Sequence, residues 1–220
     1  MKYRSVFDII GPVMIGPSSS HTAGAARIGL VARQLFQKAP TWVSFHLYGS
    51  FAKTYRGHGT DVALVGGILG FDTFDNRITE SIEIAKNSGL TVSFHEEEAH
   101  MDHPNTVKIH LGDDSHEMEL VGISIGGGKV EIKELNGFEL RLSGNHPAIL
   151  VVHDDRFGAI ASVSTILAKN EINIGHMEVS RKEVGKEALM VIEIDQNIGG
   201  NIMKQVEALD HVTKVTKIHE

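Results

Sequence analysis

The chain has 220 residues, 41% of them apolar and 22% charged, with a net charge of −7; that suits one large or two modest globular domains and excludes a basic footprint for nucleic acid or an anionic membrane surface. It contains no cysteine, so it offers no disulfide, no thiol nucleophile and no thiolate ligand for an iron–sulfur cluster. No apolar run approaches the length of a membrane span, and Met1-Lys2-Tyr3-Arg4 leads into no signal-peptide core, so the expected location is the cytoplasm.

In chain order, Ser5 to Ile10 reads as a short apolar lead-in that stops at Gly11-Pro12. Gly16-Pro17-Ser18-Ser19-Ser20-His21-Thr22 follows, then a helix over 23–38 whose buried stripe is Ile28, Val31 and Leu35, widened by Ala32 and Phe36. Residues 41–48 alternate as a half-buried strand with Val43, Phe45 and Leu47 inward. After Gly49-Ser50-Phe51 a polar loop from Lys53 to Asp61 opens a second helix, carried by Val62, Val65 and Leu69. A third runs from about Thr79 to Asn87, led by Ile78, Ile82 and Ala85, and stops at Gly89. From Leu90 to Leu142 the pattern is strand-like, and a change of phase beside Gly122 predicts a bulge or bend. His95, His100 and His103 lie between two strand-like stretches, at spacings that fit no standard zinc pattern, and read as a solvated loop.

Ser143 to Pro147 is the best linker. Beyond it come a strand at 148–153, a helix at 158–170 carrying Ile160, Val163 and Leu167, and a strand at 172–180. A polar hairpin, a strand at 188–194, a helix at 200–210 and a strand at 212–218 complete a β-α-β-β-α-β order.

Two loops carry candidate chemistry. Capping the first helix needs one or two hydroxyls; this loop gathers Ser18, Ser19, Ser20 and Thr22 around His21. They sit where a helix start leaves N–H groups unpaired and favours a carboxylate or phosphate. The second loop repeats the logic: His58, Thr60 and Asp61 precede a helix, with Gly57 and Gly59 letting backbone approach a ligand. Taken alone, the second loop is explained by simple capping. Together they supply His21 and His58 for proton transfer, N–H groups and hydroxyls for a carboxylate, and Thr60 and Asp61 to orient the imidazoles. Gly126-Gly127-Gly128-Lys129 is no phosphate loop, because Val130 and a strand follow the lysine. In the last segment Asp155 and Gly158 lie between strand and helix, and Asn173 begins the facing hairpin; an amino-acid site or an ordinary loop would both suit them.

The runs Ile15 to Thr22, Gly57 to Asp61 and Ser124 to Gly128 resemble the β portion of the iron–sulfur-dependent bacterial L-serine dehydratases, and residues from about 148 resemble an ACT domain, the small amino-acid-sensing module. Phe157 stands where the ACT loop usually has proline. The resemblance implies an α+β fold. A serine dehydratase β-type domain, similar to the allosteric substrate-binding domain of some phosphoglycerate dehydrogenases, would cover residues 1–144. A ferredoxin-like ACT domain would cover 148–220. It implies a lyase of amino-acid catabolism converting L-serine to pyruvate and ammonia, whose [4Fe-4S] cluster is ligated by cysteines of a separate alpha subunit, the expected partner. No metal ligand is expected in this chain. Ser18, Ser19, Ser20, Thr22, Thr60 and Asp61 would line the substrate site, His21 and His58 would move protons, and Asp155, Gly158 and Asn173 would form the regulatory loop. Sheet edges leave homodimerisation open. The alternative is a non-catalytic, amino-acid-sensing regulatory subunit.

Overall fold

A computed structural model describes residues 13–219; the lead-in expected at Ser5–Ile10 lies outside them. The chain divides into two compact units, Met1–Asn136 and Gly137–Glu220. Among the described residues no helix is long and apolar enough to cross a membrane.

In the first unit a π-helical turn, Ser19–Ala23, runs directly into helix α1, Gly24–Phe36, which buries the expected stripe Ile28, Val31, Ala32, Leu35 and Phe36. Strand β1, Trp42–Tyr48, buries Val43, Phe45 and Leu47 in strict alternation. Helices α2 (Gly49–Thr54) and α3 (Thr60–Ile68) follow, then a 3-10 turn, Asn76–Glu80, leading into α4, Ser81–Asn87. Strands β2 (Thr91–Glu97), β3 (Asn105–Gly112), β4 (Glu117–Gly126) and β5 (Lys129–Leu135) complete the unit. Its sheet has the order β2-β1-β3-β4-β5. β2 is parallel to β1, and the other pairings are antiparallel. A parallel neighbour needs a crossover rather than a hairpin; the segment carrying α2, α3 and α4 is that crossover.

Helices α1 and α3 meet at glycines. A Cβ at Gly29 would lie 2.4 Å from the Leu64 carbonyl oxygen, and one at Gly67 would lie 2.2 Å from that of Ala26. Backbone therefore rests on backbone where these helices cross. Of the bulge or bend expected beside Gly122, a bulge is present as a register shift between Val121 and Gly122 against β5. Packing favours glycine there, because a Cβ would come within 2.7 Å of Ile28 Cγ2 on α1.

Three local expectations are corrected. The chain after β1 is helical from Gly49, with Phe51 buried and the Thr54 hydroxyl donating to the Ser50 carbonyl at 2.8 Å. Six residues are too few to show helical periodicity. His95 belongs to β2 rather than a loop, and its ring stacks on His46 at 4.7 Å. Ile82 is 39% exposed; Ser81, fully buried, faces inward in its place and donates its hydroxyl to the Val62 carbonyl at 2.6 Å.

The second unit begins with β6, Phe138–Leu142, followed by β7 (Ala148–Asp154), α5 (Ala159–Lys169), β8 (Ile174–Arg181), β9 (Glu187–Ile194), α6 (Gly200–Glu207) and β10 (Val212–Ile218). The antiparallel order β10-β7-β9-β8 is that of the split-βαβ arrangement. Its core includes Ile149, Val151, Val163, Leu167, Met190 and Ile192. Ile160, expected on the same helical face, is 48% exposed in the first turn of α5 and does not reach that core.

Candidate active site

The serine loop folds as a π-helical turn because Ser18 closes it from both of its groups. Its hydroxyl accepts the His21 N–H at 3.2 Å, and its carbonyl accepts those of Thr22 at 2.9 Å and Ala23 at 3.3 Å. The wider turn continues where the Gly24 N–H donates to the Ser19 carbonyl. Gly16 makes the approach possible: its φ is 107°, and a Cβ there would lie 2.5 Å from Thr22 Cγ2. Turns of this kind are concentrated at functional sites. With the N–H groups of His21, Thr22 and Ala23 taken, those of Ser19 and Ser20 are the ones without an acceptor inside the turn.

His21 is the hub. Ser20 Oγ lies 3.0 Å from its Nδ1 and 3.3 Å from Ser18 Oγ, while Ser50 Oγ lies 2.9 Å from its Nε2. The ring stands edge-on to Phe51 at 5.3 Å and to His58 at 4.9 Å. The two polar loops are therefore one site. A further bond ties them, from the Thr22 hydroxyl to the His58 carbonyl at 2.9 Å. Burial first, and the neighbouring His58 charge second, hold the His21 imidazole below its usual titration range. The shift favours the neutral imidazole, the form able to accept a proton.

The second loop turns through Gly59, left-handed at φ 66°, into α3. His58 is exposed, whereas Thr60 is fully buried and its hydroxyl has no hydrogen-bond partner among the described residues. The Asp61 carboxylate accepts the Val62 N–H at 2.9 Å. Burial pushes its pKa up, partly opposed by backbone N–H groups and Arg56. Among the described residues the hydroxyls bonded to the His21 ring are those of Ser20 and Ser50, whereas Thr60 and Asp61, which sequence reading placed as orienting groups, make their contacts elsewhere or none.

Sequence reading passed over Ser50, Asn105 and Ser124. Asn105 forms a bridge to Gly49, and its Nδ2 donates to the Ser124 carbonyl at 3.3 Å. Ser124 packs against the start of α1, since a Cβ on Gly24 would fall 2.0 Å from its hydroxyl. Asn105 Oδ1 and Ser124 Oγ are buried without partners among the described residues. The prior signal for Ser124 was its place at the head of the run Ser124 to Gly128, two residues before the first glycine. Gly126, Gly127 and Gly128 are all left-handed and make the tight β4–β5 connection.

In the second unit, Asp155 accepts from the Gly185 N–H and from Arg181, each at 2.9 Å, and these bonds hold its carboxyl below the usual range. Gly158, at φ 84°, starts α5, and Phe157 beside it is fully exposed. Asn173 donates instead to Asp195. Asp155 follows the last residue of β7, while Asn173 adjoins the end of β9 that pairs with the start of β7. Seven residues of strand, roughly 20 Å, separate those ends, so one copy of the chain does not bring Asp155 and Asn173 together.

Comparison with known proteins bears on this arrangement directly. The family model "Serine dehydratase beta chain" matches residues 5–134, and the ACT domain model matches residues 148–211. The chain belongs to the serine dehydratase beta chain family. It is 64% identical over 99% of both chains to the probable L-serine dehydratase beta chain of Bacillus subtilis (strain 168). It is 39% identical over 95% of both to the L-serine dehydratase beta chain of Peptoniphilus asaccharolyticus. A more distant likeness, 26% identity over 88% of this chain and 37% of the relative, is to D-3-phosphoglycerate dehydrogenase of Bacillus subtilis (strain 168). Every first-unit candidate residue of this beta chain falls within the matched span.

Proposed function

We propose that this beta chain is one subunit of an L-serine dehydratase that works with an alpha subunit to deaminate L-serine to pyruvate and ammonia. The observation that carries the reading is His21: an imidazole bound at both nitrogens by serine hydroxyls, with a second imidazole 4.9 Å away, at the start of a helix. Removal of a proton next to a carboxylate needs a base that is unprotonated at working pH. Burial and His58 favour that form of His21. The N–H groups of Ser19 and Ser20 and the loop hydroxyls suit the substrate carboxylate.

The cofactor implied by the family resemblance, a [4Fe-4S] cluster, does not fit the residues of this chain. The sequence has no cysteine, and among the described residues no group of three or more His, Asp or Glu is placed to hold a metal ion. We assign the cluster to the alpha subunit, which makes the site described above one half of the complete one.

The test is anaerobic reconstitution of this chain with a cysteine-bearing alpha subunit. Serine deamination should require both chains, and His21→Ala should lower turnover of the complex by about 10²–10⁴-fold, the range of a general acid–base group. Full activity of either chain alone would overturn the two-subunit reading. If His21→Ala changed only the response to an added amino acid and left the maximal rate intact, the chain would be a regulatory subunit.

A further inference from the structure

Ser50 is built into this site more elaborately than any sequence pattern suggests. It follows Gly49, which is left-handed at φ 56° and so close to Pro104 that a Cβ would lie 2.7 Å from the Pro104 carbonyl oxygen. A side chain at position 49 is thus blocked by backbone conformation and by space. That close approach lets the Ser50 N–H donate to the Pro104 carbonyl at 2.6 Å. The Ser50 carbonyl is bound in turn by the Thr54 hydroxyl at 2.8 Å. With both backbone groups engaged, the residue has one free function, its hydroxyl, and that lies 2.9 Å from His21 Nε2.

A neutral imidazole has one donor and one acceptor nitrogen. Ser20 and Ser50 address opposite nitrogens, so one hydroxyl must donate and the other accept. Ser20 alone, one residue away on the same turn, could follow the ring through a rotation. Ser50, 29 residues away on another element, could not. We propose that Ser50 is the positioning residue of the site, fixing the His21 ring in one orientation. The role deepens the dehydratase reading and rests on it for its catalytic consequence, while its structural half is measurable on this chain alone.

The experiment has two arms. In the first, the full-length chain without partner is labelled with ¹⁵N-histidine and the His21 ring nitrogens are read by NMR above pH 7. In the native chain the hydrogen bond with Ser50 should set the Nε2 shift apart from that of a free imidazole nitrogen. Ser50→Ala should move the Nε2 shift toward the free value, and Ser50→Thr, which keeps a hydroxyl, should restore the native pattern. Identical His21 ring shifts in the native chain and Ser50→Ala, with the folded spectrum otherwise retained, would overturn the assignment. In the second arm, the reconstituted complex carrying Ser50→Ala should lose roughly 10- to 100-fold in kcat with KM changed less than about twofold, as expected when positioning rather than binding is lost. Ser50→Thr should recover most of it. A rise in KM at unchanged kcat would make Ser50 a binding residue and overturn the positioning role. The native Ser50–His21 pattern in a complex that does not deaminate serine would remove the dehydratase reading and leave the positioning of the ring standing.

Discussion

At the scale of single residues, the first unit sets two imidazoles of different exposure edge to edge. His21 is held below its usual titration range mainly by burial and secondarily by His58. A histidine lowered in the folded chain contributes stability that is complete above the unfolded value, about 6.5, and is lost as pH falls through the folded value. His58→Gln removes the second cause and keeps the first. The His21 midpoint in an NMR titration should therefore rise but stay below about 6.5, and the acid destabilisation of the chain should shrink. A midpoint unmoved by His58→Gln would show that burial alone sets it. The chemical half of this pair was legible in sequence, because hydroxyls and an imidazole stood together beyond what helix capping needs. Its partner Ser50 was not, since nothing local marks a serine whose meaning comes from a turn at the far end of β1.

At the scale of elements, close helix packing shapes the site more than propensity does. Gly66 and Gly67 are neighbours in α3 and differ sharply in what a methyl group would meet. At Gly66 the nearest atom is Ile78 Cγ1 at 3.0 Å, a side chain able to shift. At Gly67 the Ala26 carbonyl oxygen lies at 2.2 Å and the Leu30 nitrogen at 2.5 Å, and backbone cannot yield so easily. Alanine is favoured over glycine inside a helix by about 1 kcal/mol, while overpacking costs about 1–3 kcal/mol or more. Gly66→Ala should thus stay within about 1 kcal/mol of the native chain, and Gly67→Ala should lose at least about 2 kcal/mol by urea denaturation. Equal losses would mean that the helices separate freely where they cross. Here sequence reading was partial for a physical reason. Apolar periodicity exposes long helices such as α1, but α2 is six residues long and the π turn closes through Ser18. The parallel pairing of β2 with β1 depends on a crossover that no local pattern encodes.

At the scale of the whole chain, two units each carry a core, and the second was the more legible because its β-α-β-β-α-β order is written in consecutive short segments with clear turns. The serine dehydratase beta chain unit was harder, because its site is assembled from the π-helical turn before α1, from α2 and from the loop before α3. Separate cores make separate unfolding the natural expectation. The chain has one tryptophan, Trp42 in β1, so its fluorescence reports the first unit. Leu167 is fully buried in the core of the second. Leu167→Ala removes apolar contacts and leaves a cavity, at a cost of about 2–5 kcal/mol. In urea, the far-UV circular dichroism transition should shift to lower concentration and broaden, since the second unit contributes to it. The Trp42 transition should keep its midpoint. Should both probes move together by the same amount, the two cores unfold as one cooperative body, and a change in the ACT domain would then bear on the stability around His21 and Ser50 as well.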